Sequence, residues 1–433
     1  MARYNICSEG RNVKALTEKV KIYEEEIEGL KVVFIKRKDI SSSFGLLTVK
    51  FGSMFTILKI GDKEISLPDG VAHFLEHRLF EINGKDATEL FSKFGADTNA
   101  FTGRKNMTFY FTTTSNFFDC MNLLLDLVFT EKSFLNKTIK REKLIIASEI
   151  TMYDDEPYFL GYQNLVDAMF WFNPLKKKVA GTVDSIEAIN PEILHLTYNA
   201  FFSKKNSILF ILGDIDESEL FDKIREKVKS YKNNDINFRD ESFKYIEPAY
   251  PRIRRIELKS RITKNLVFIG FKPKKDKFSI EEIIASNLIL EIIFGSMSPF
   301  YDSLFSKGLI DDSFNYALDW EGDYCCPIIS SYTDQPDTLL VELNKEIERR
   351  LFNTNITEEE LTLSKSNAIG GAYMLADNPS NLIGEISTLY LSQVPTLEKY
   401  IDILKSLNLI ELNDLLSKLL PIDNSVTVTV KPY

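Results

Sequence analysis

The stretch Asp69-Gly70-Val71-Ala72-His73-Phe74-Leu75-Glu76-His77-Arg78-Leu79-Phe80 holds two of the three histidines in this chain of 433 residues. Its apolar residues recur at helical spacing, which predicts an amphipathic helix with Asp69 as its N-cap. Side chains four residues apart on a helix lie on the same face. We therefore expect His73 and His77 to lie one above the other, with Glu76 beside them.

Two imidazoles arranged in this way can bind one metal ion, because neutral imidazole is the commonest metal ligand among side chains. A carboxylate beside such an ion can take a proton from a water molecule, so Glu76 is a candidate general base. The alternative is a buried helix on which His73 and His77 only pack. The third histidine, His195, is far away in the sequence and is expected to be a packed or surface residue.

The composition limits the expected partners and location. Lys and Arg number 53 and Asp and Glu number 63, a net charge of −10 that argues against a nucleic-acid partner. The four cysteines, Cys7, Cys120, Cys325 and Cys326, form no C-x-x-C pair, which favours reduced thiols in a cytoplasmic protein. Residues 1–10 lack an apolar signal core, and no run of about 18 apolar residues predicts a membrane span.

The chain is longer than one ordinary domain, so at least two domains are expected. Both halves begin with strands, carry helices in the middle and close on an apolar strand, at residues 207–212 and 425–430. This repeat predicts an α+β protein of two related domains, each a mostly antiparallel sheet packed with helices. The domains are expected at residues 1–235 and 253–433, joined by the polar linker 236–252.

A catalytic zinc ion usually has three protein ligands and one open position, so a further ligand is expected outside the helix. Residues 140–150 are the richest candidate segment, because Glu142 and Glu149 are seven apart and share a helix face. Glu149 lies among apolar neighbours, where a carboxylate needs a cation or hydrogen-bond donors. A metal would serve, but a surface helix with ordinary charge pairs fits the spacing equally well.

Further motifs follow the histidine helix in order: Gly95-Ala96-x-x-Asn99-Ala100-x-Thr102, Glu142-x6-Glu149, Gly181-Thr182-x-x-Ser185-Ile186 and Gly213-Asp214-Ile215-Asp216. With these motifs the chain resembles the pitrilysin, insulinase and mitochondrial-processing-peptidase family of inverzincin zinc peptidases, whose signature is H-x-x-E-H. Residues 67–77 and 149–157 are most similar to its half-size bacterial branch.

The resemblance implies that His73, His77 and Glu149 bind one zinc ion per chain. It implies that Glu76 is the general base and that Glu142 orients or supports the site. It also implies an edge strand that receives the substrate through backbone hydrogen bonds, which selects extended, unfolded peptides. The residues of that strand are Asn99, Ala100, Phe101 and Thr102.

Members of the family enclose substrate in a chamber between facing halves, and half-size members form it by pairing two chains, each half of a clamshell. Active relatives commonly carry an Arg and a Tyr in the C-terminal half, where this chain has Leu304 and Asp311. Some bacterial relatives divide the zinc motif and the Arg/Tyr pair between unlike subunits. The resemblance therefore implies the zinc-carrying subunit of a dimer, and favours a heterodimer over a homodimer.

The expected function is that of a zinc metalloendopeptidase acting on short unfolded peptides inside such a chamber. The alternative is a non-catalytic or partner-dependent subunit that binds peptide or acts as a scaffold in a heterodimeric peptidase. A peptide-binding module with a structural metal is the third hypothesis. Structural zinc sites are usually closed by four ligands, and the sequence suggests no fourth.

Overall fold

The structure is a computed structural model that describes residues 20–82, 84–232, 238–275, 277–321, 324–353 and 355–433. The expectations about residues 1–10 and Cys7 lie outside these ranges. The strands, in chain order, are β1 (Lys21–Ile27), β2 (Leu30–Lys36), β3 (Ser43–Val49), β4 (Ile57–Ile60), β5 (Lys63–Ser66), β6 (Glu81–Ile82), β7 (Lys85–Asp86), β8 (Ala96–Thr102), β9 (Met107–Thr113), β10 (Ser207–Gly213), β11 (Arg239–Asp240), β12 (Arg255–Ser260), β13 (Asn265–Phe271), β14 (Asn315–Glu321), β15 (Tyr324–Thr333) and β16 (Ser425–Pro432).

The α-helices, in chain order, are α1 (Val71–Leu79), α2 (Ala87–Ser92), α3 (Phe117–Phe129), α4 (Asn136–Asp155), α5 (Pro157–Met169), α6 (Val183–Glu187), α7 (Pro191–Phe201), α8 (Glu217–Lys229), α9 (Ile280–Phe294), α10 (Pro299–Ser306), α11 (Pro336–Phe352), α12 (Glu358–Leu375), α13 (Pro379–Leu391), α14 (Leu397–Ser406) and α15 (Leu409–Leu419). The chain divides into two compact units, each with its own sheet and helices, so the predicted α+β class is confirmed.

The first unit is built on a six-stranded sheet in the order β1-β2-β10-β3-β9-β8. Only β2 and β10 are parallel, and the other neighbouring pairs are antiparallel. All seven residues of β10 are buried, as expected for an apolar strand in the middle of a sheet. β8 lies at one edge and alternates between exposed and half-buried residues after Ala96. The core of the unit includes Phe74 and Leu75 of α1 and Phe109 of β9.

The second unit repeats this plan with a five-stranded sheet in the order β12-β16-β13-β15-β14. Its last strand, β16, pairs parallel with β12 and antiparallel with β13. β10 pairs with β2 and β3 in the same manner. In both units the final strand of the repeat is thus inserted into the sheet between two strands made much earlier in the chain, which supports the predicted relation between the halves.

The two units are interleaved in sequence. The first contains Met1–Ile150, Lys177–Lys244 and Tyr373–Tyr390, and the second contains Thr151–Lys176, Tyr245–Ala372 and Leu391–Tyr433. Most of α13 belongs to the first unit, where the Tyr390 ring lies 5.6 Å from Phe210 and its hydroxyl donates to Glu24 at 2.8 Å. The contiguous boundaries at residues 235 and 253 stay a prediction, and residues 236–237 of the predicted linker lie outside the described ranges.

Among the described helices, none alone has the length and apolar character needed to cross a membrane. The pair α9 and α10, bent by 42° between them, meets those criteria only when taken together.

Candidate metal centre

The helix α1 begins one residue later than predicted, and the N-cap prediction for Asp69 is wrong. Gly70 is the N-cap, with φ of 87° and no side-chain capping bond, and the Asp69 carboxylate lies 2.7 Å from Nζ of Lys177. A Cβ on Gly70 would lie 2.4 Å from the carbonyl oxygen of Ala180, and the positive φ also favours glycine. The Ser185 hydroxyl donates to the Asp69 carbonyl at 2.8 Å. Ala180, in the loop before α6, and Ser185, in α6 itself, therefore fix the start of the histidine helix.

Three predicted ligands come together between α1 and α4. Nε2 of His73 lies 3.5 Å from Oε1 of Glu149, and Nε2 of His77 lies 3.4 Å from Oε2 of the same carboxylate. One candidate ligand atom from each residue lies within 4.8 Å of those of the other two. Glu149 thus faces both imidazoles with both of its oxygens.

This donor set fits a zinc ion, which binds imidazole nitrogens and carboxylate oxygens and in catalytic sites uses three protein ligands. Hydrogen bonds from His73 and His77 lower the pKa of Glu149, so the carboxylate is an anion at neutral pH. The side chains of His77 and Glu149 keep 24% and 23% of their surface exposed. The site is therefore reachable from solvent while His73 is buried.

Glu142 supports the site from behind His77. Its Oε1 lies 3.0 Å from Nδ1 of His77, and its Oε2 accepts a hydrogen bond from Nη1 of Arg78 at 3.1 Å. Burial alone would lower the pKa of His77, but the carboxylates of Glu142 and Glu149 outweigh it and raise the pKa to about 9. Burial would raise the pKa of Glu142, but His77 and Arg78 outweigh it and lower the pKa.

The predicted general base Glu76 lies beside the edge strand. The Thr102 hydroxyl, at the end of β8, donates to Oε2 of Glu76 at 2.6 Å. Asn99 and Phe101 are exposed along β8, and the Asn99 side chain accepts from the Ala100 N–H at 2.8 Å. A pocket of about 480 Å³ adjoins α1 and β8. Its lining includes Glu76, His77, Asn99, Ala100 and Glu142.

Sequence reasoning missed two contacts of the site. It did not single out Arg78, although a basic residue directly after the second histidine is an available signal for a carboxylate partner. It placed Thr102 on the substrate strand but did not connect its hydroxyl with Glu76. The third histidine, His195, lies in α7, and its ring centroid is 4.8 Å from that of Phe134.

An H-x-x-E-H helix joined by a distant glutamate defines a candidate metal centre of the inverzincin class. Comparison with known families agrees: the family model described as "Insulinase (Peptidase family M16)" matches residues 31–183, and "Peptidase M16 inactive domain" matches residues 188–368. The chain belongs to the M16 peptidase family and is a half-size member of it.

Named relatives and solved structures extend this result over most of the chain. The "Uncharacterized zinc protease YmfH" of Bacillus subtilis is 30% identical over 417 residues, which is 95% of this chain and 96% of the relative. The "Putative zinc protease AlbF" of Bacillus subtilis is 32% identical over 193 residues, 44% of this chain and 45% of the relative.

A crystal structure of an M16-like peptidase from Alicyclobacillus acidocaldarius has a TM-score of 0.91 at 26% identity and covers 96% of this chain and 99% of its own. A protease from Helicobacter pylori shares the fold, with a TM-score of 0.81 at 19% identity over 95% of this chain and all of its own. The relatives named as zinc proteases support a peptidase of the same kind and zinc as its metal.

Proposed function

We propose that this chain is a zinc metalloendopeptidase that hydrolyses short unfolded peptides with Glu76 as general base. The observation that carries the proposal is the convergence of His73, His77 and Glu149 within 4.8 Å of one another on α1 and α4, with Glu76 on the same helix. The names of the relatives, zinc proteases, point to the same chemistry.

His73, His77 and Glu149 would hold one zinc ion per chain. When bound, zinc supplies Lewis acidity, which polarises a peptide carbonyl and lowers the pKa of a water molecule. The Thr102 hydroxyl donates to Oε2 of Glu76 and so orients the carboxylate that would take the proton from the attacking water. Glu76 then passes that proton to the leaving amine.

The position of β8 supports an extended substrate. An edge strand presents backbone groups to which a peptide can add as a further strand, and a folded protein cannot offer its backbone in this way. Asn99, Ala100, Phe101 and Thr102 would bind the substrate along β8, and Thr102 would connect that strand to the general base.

A second half-size chain would complete the active site inside a shared chamber, and we favour an unlike chain over a second copy. Leu304, at the position of the family's Arg, is fully buried within the second unit. Asp311, at the position of the Tyr, lies 3.0 Å from Lys264 and caps the turn at Ser313. Both residues thus have structural contacts in this chain, and a cytoplasmic heterodimer would supply the Arg/Tyr pair from the partner.

These two positions also favour the second candidate function, a subunit that binds peptide or zinc but turns over substrate only with a partner.

The zinc-loaded chain is tested alone on a fluorogenic library of unstructured peptides, beside Glu76→Gln and the control Glu89→Gln. Glu89 is exposed on α2 and pairs with Lys93 at 3.1 Å, so the control removes the same charge away from the site.

We expect Glu89→Gln to cleave like the wild type and Glu76→Gln to lose about 10²–10⁴-fold in turnover, the contribution of a general base. Both variants are expected to keep their zinc. Equal turnover by Glu76→Gln would refute the base assignment. A folded, zinc-loaded wild-type chain that cleaves nothing would replace the first proposal with the partner-dependent subunit.

A further inference from the structure

His77, in α1, lies between two carboxylates of α4, and each of them has the oxygen atoms to bind a metal ion. Oε2 of Glu149 is 3.4 Å from Nε2 of the imidazole, and Oε1 of Glu142 is 3.0 Å from Nδ1. A half-turn of the ring would exchange its two nitrogens. The chemistry of a carboxylate does not by itself decide which glutamate is a ligand and which is its support.

The surroundings of the two glutamates differ in one respect. Nη1 of Arg78 donates to Oε2 of Glu142 and to Oε2 of Glu81, each at 3.1 Å. The side chains of Arg78 and Glu142 are only 9% and 8% exposed. Within the described part of the chain, the ion pairs of Glu149 are with the two imidazoles. One of the two glutamates is thus hydrogen-bonded by a fixed guanidinium, and the other is held by the imidazoles.

We infer that Arg78 is a positioning residue that reserves Glu142 for the Nδ1–H of His77 and so leaves Glu149 as the carboxylate that binds the metal. The inference rests on the proposed zinc site. Because the guanidinium holds Oε2, Oε1 of Glu142 stays turned towards Nδ1, which leaves Nε2 as the nitrogen on the side of Glu149. Nδ1 of His73 is buried without a hydrogen-bond partner among the described residues. The contact from Arg78 through Glu142 therefore orients His77 and not His73.

The test compares Arg78→Met, which keeps the apolar stem, with Arg78→Lys, which keeps the charge. Arg141→Met is the matched control, because Arg141 directly precedes Glu142 in α4 but its side chain is exposed. Zinc affinity of the full-length chain is measured by competition with a chromophoric chelator, without any peptide substrate. We expect Arg78→Met to bind zinc about 10–100-fold more weakly, the usual effect of losing a residue behind a ligand. Arg78→Lys should recover most of the loss, and Arg141→Met should match the wild type.

A double-mutant cycle distinguishes positioning through Glu142 from a general loss of structure. In a Glu142→Gln background, Arg78→Met should cost little further affinity, because the group through which Arg78 acts has been removed. The visible spectrum of the Co²⁺-loaded chain gives a second readout. If Glu142 enters the coordination shell of Arg78→Met, the absorption of four-coordinate Co²⁺ should fall, while that of Arg141→Met should not.

Wild-type zinc affinity and an unchanged Co²⁺ spectrum in Arg78→Met would overturn the inference. If Arg78→Met does not fold, Glu142→Gln carries the test, and zinc affinity within about twofold of wild type would overturn it, since losses of about 10-fold or more are expected behind a ligand. A wild-type chain that binds no zinc in the same titration would instead overturn the proposed function.

Discussion

Glu247, whose side chain in the second unit is 10% exposed, allows a stability prediction that does not depend on catalysis. Oε1 of Glu247 accepts from the Trp171 N–H at 2.8 Å and from Nζ of Lys272 at 2.6 Å. Oε2 accepts from the N–H groups of Phe172 and Asn173 at 2.9 and 3.0 Å. One carboxylate therefore satisfies three consecutive backbone donors and one ammonium group.

Glu247→Gln keeps the shape of the side chain but replaces one acceptor oxygen with an NH₂ donor. If the amide oxygen serves Phe172 and Asn173, the NH₂ faces the Trp171 N–H and the Lys272 ammonium. Hydrogen bonds to charged groups contribute about 1.5–3 kcal/mol each. Lys272 keeps the carbonyls of Met169 and Tyr250, at 3.0 and 3.2 Å, which limits the loss. We expect the free energy of unfolding to fall by about 3–5 kcal/mol, as for other broken buried pairs.

The pH dependence of this loss has a defined sign. Burial would raise the pKa of Glu247, but Lys272 and the N–H groups of Trp171 and Phe172 outweigh it and lower the pKa below 4.5. A carboxylate with a lowered pKa stabilises the fold above its unfolded-state pKa, and this contribution is lost as the pH falls through the folded-state pKa. The difference between wild type and Glu247→Gln should therefore shrink in acid.

Urea unfolding followed by tryptophan fluorescence measures the effect in the second unit, because Trp171 and Trp320 are the two tryptophans of the chain and both lie there. The control is Glu257→Gln, which breaks an exposed pair with Lys431 at 2.7 Å and should leave the midpoint unchanged. A Glu247→Gln variant within about 0.5 kcal/mol of the wild type at neutral pH would refute the reasoning.

Three further predictions concern the first unit. Glu149→Gln should weaken zinc binding by more than the about 10–100-fold typical of residues behind the ligands, and unchanged zinc content after dialysis would refute its role as a ligand. Thr102→Val should keep its zinc but lower turnover about 10-fold, because one hydrogen bond to Glu76 is lost. Thr102→Ser keeps the hydroxyl and should keep the turnover of the wild type. Equal turnover of the two variants would contradict this role of Thr102. Gly70→Ala should lower the free energy of unfolding by about 1–3 kcal/mol more than Gly61→Ala does. Both glycines have a positive φ, but only at Gly70 would the new Cβ meet a carbonyl oxygen, at 2.4 Å. Equal denaturation midpoints of the two variants would contradict that clash.

Local patterns in the sequence were sufficient to place several elements and to single out the histidine pair. The apolar strands predicted at residues 207–212 and 425–430 lie within β10 and β16, because hydrophobic patterning and flanking polar residues act over a few residues. The i, i+4 histidines and the seven-residue spacing of Glu142 and Glu149 are likewise local geometry. These spacings decide which side chains share a helix face, and the structure brings the two faces together.

Elements and contacts that depend on distant residues could not be predicted. β14 and β15 were not predicted, and Pro327 in the second of them discourages a strand assignment. In the structure Pro327 is paired with Leu318 of β14, whereas the pairing of β15 with β13 ends one residue later, at Ile328. Nor does periodicity reveal which sheet a helix covers, as the place of α13 in the first unit shows.

The same limit applies within the site. The hydrogen bond from Arg78 to Glu142 joins residues 64 apart, and that from Thr102 to Glu76 joins residues 26 apart. No spacing rule connects such pairs. Asp69 is a residue type that is common at N-caps, but Gly70 is the N-cap. The carbonyl oxygen of Ala180 lies too close to Gly70 for a Cβ at that position.

The insertion of β10 between β2 and β3 has a consequence for synthesis on the ribosome. The other five strands of the sheet have been made by Thr113, but β10 ends at Gly213, so 213 − 113 = 100 further residues must be translated. At about 5–20 residues per second this takes about 5–20 s. During that time the facing sides of β2 and β3 have unpaired backbone groups, and they could pair with each other or with a neighbouring nascent chain. The first unit is therefore most exposed to misassembly before its own central strand has left the ribosome.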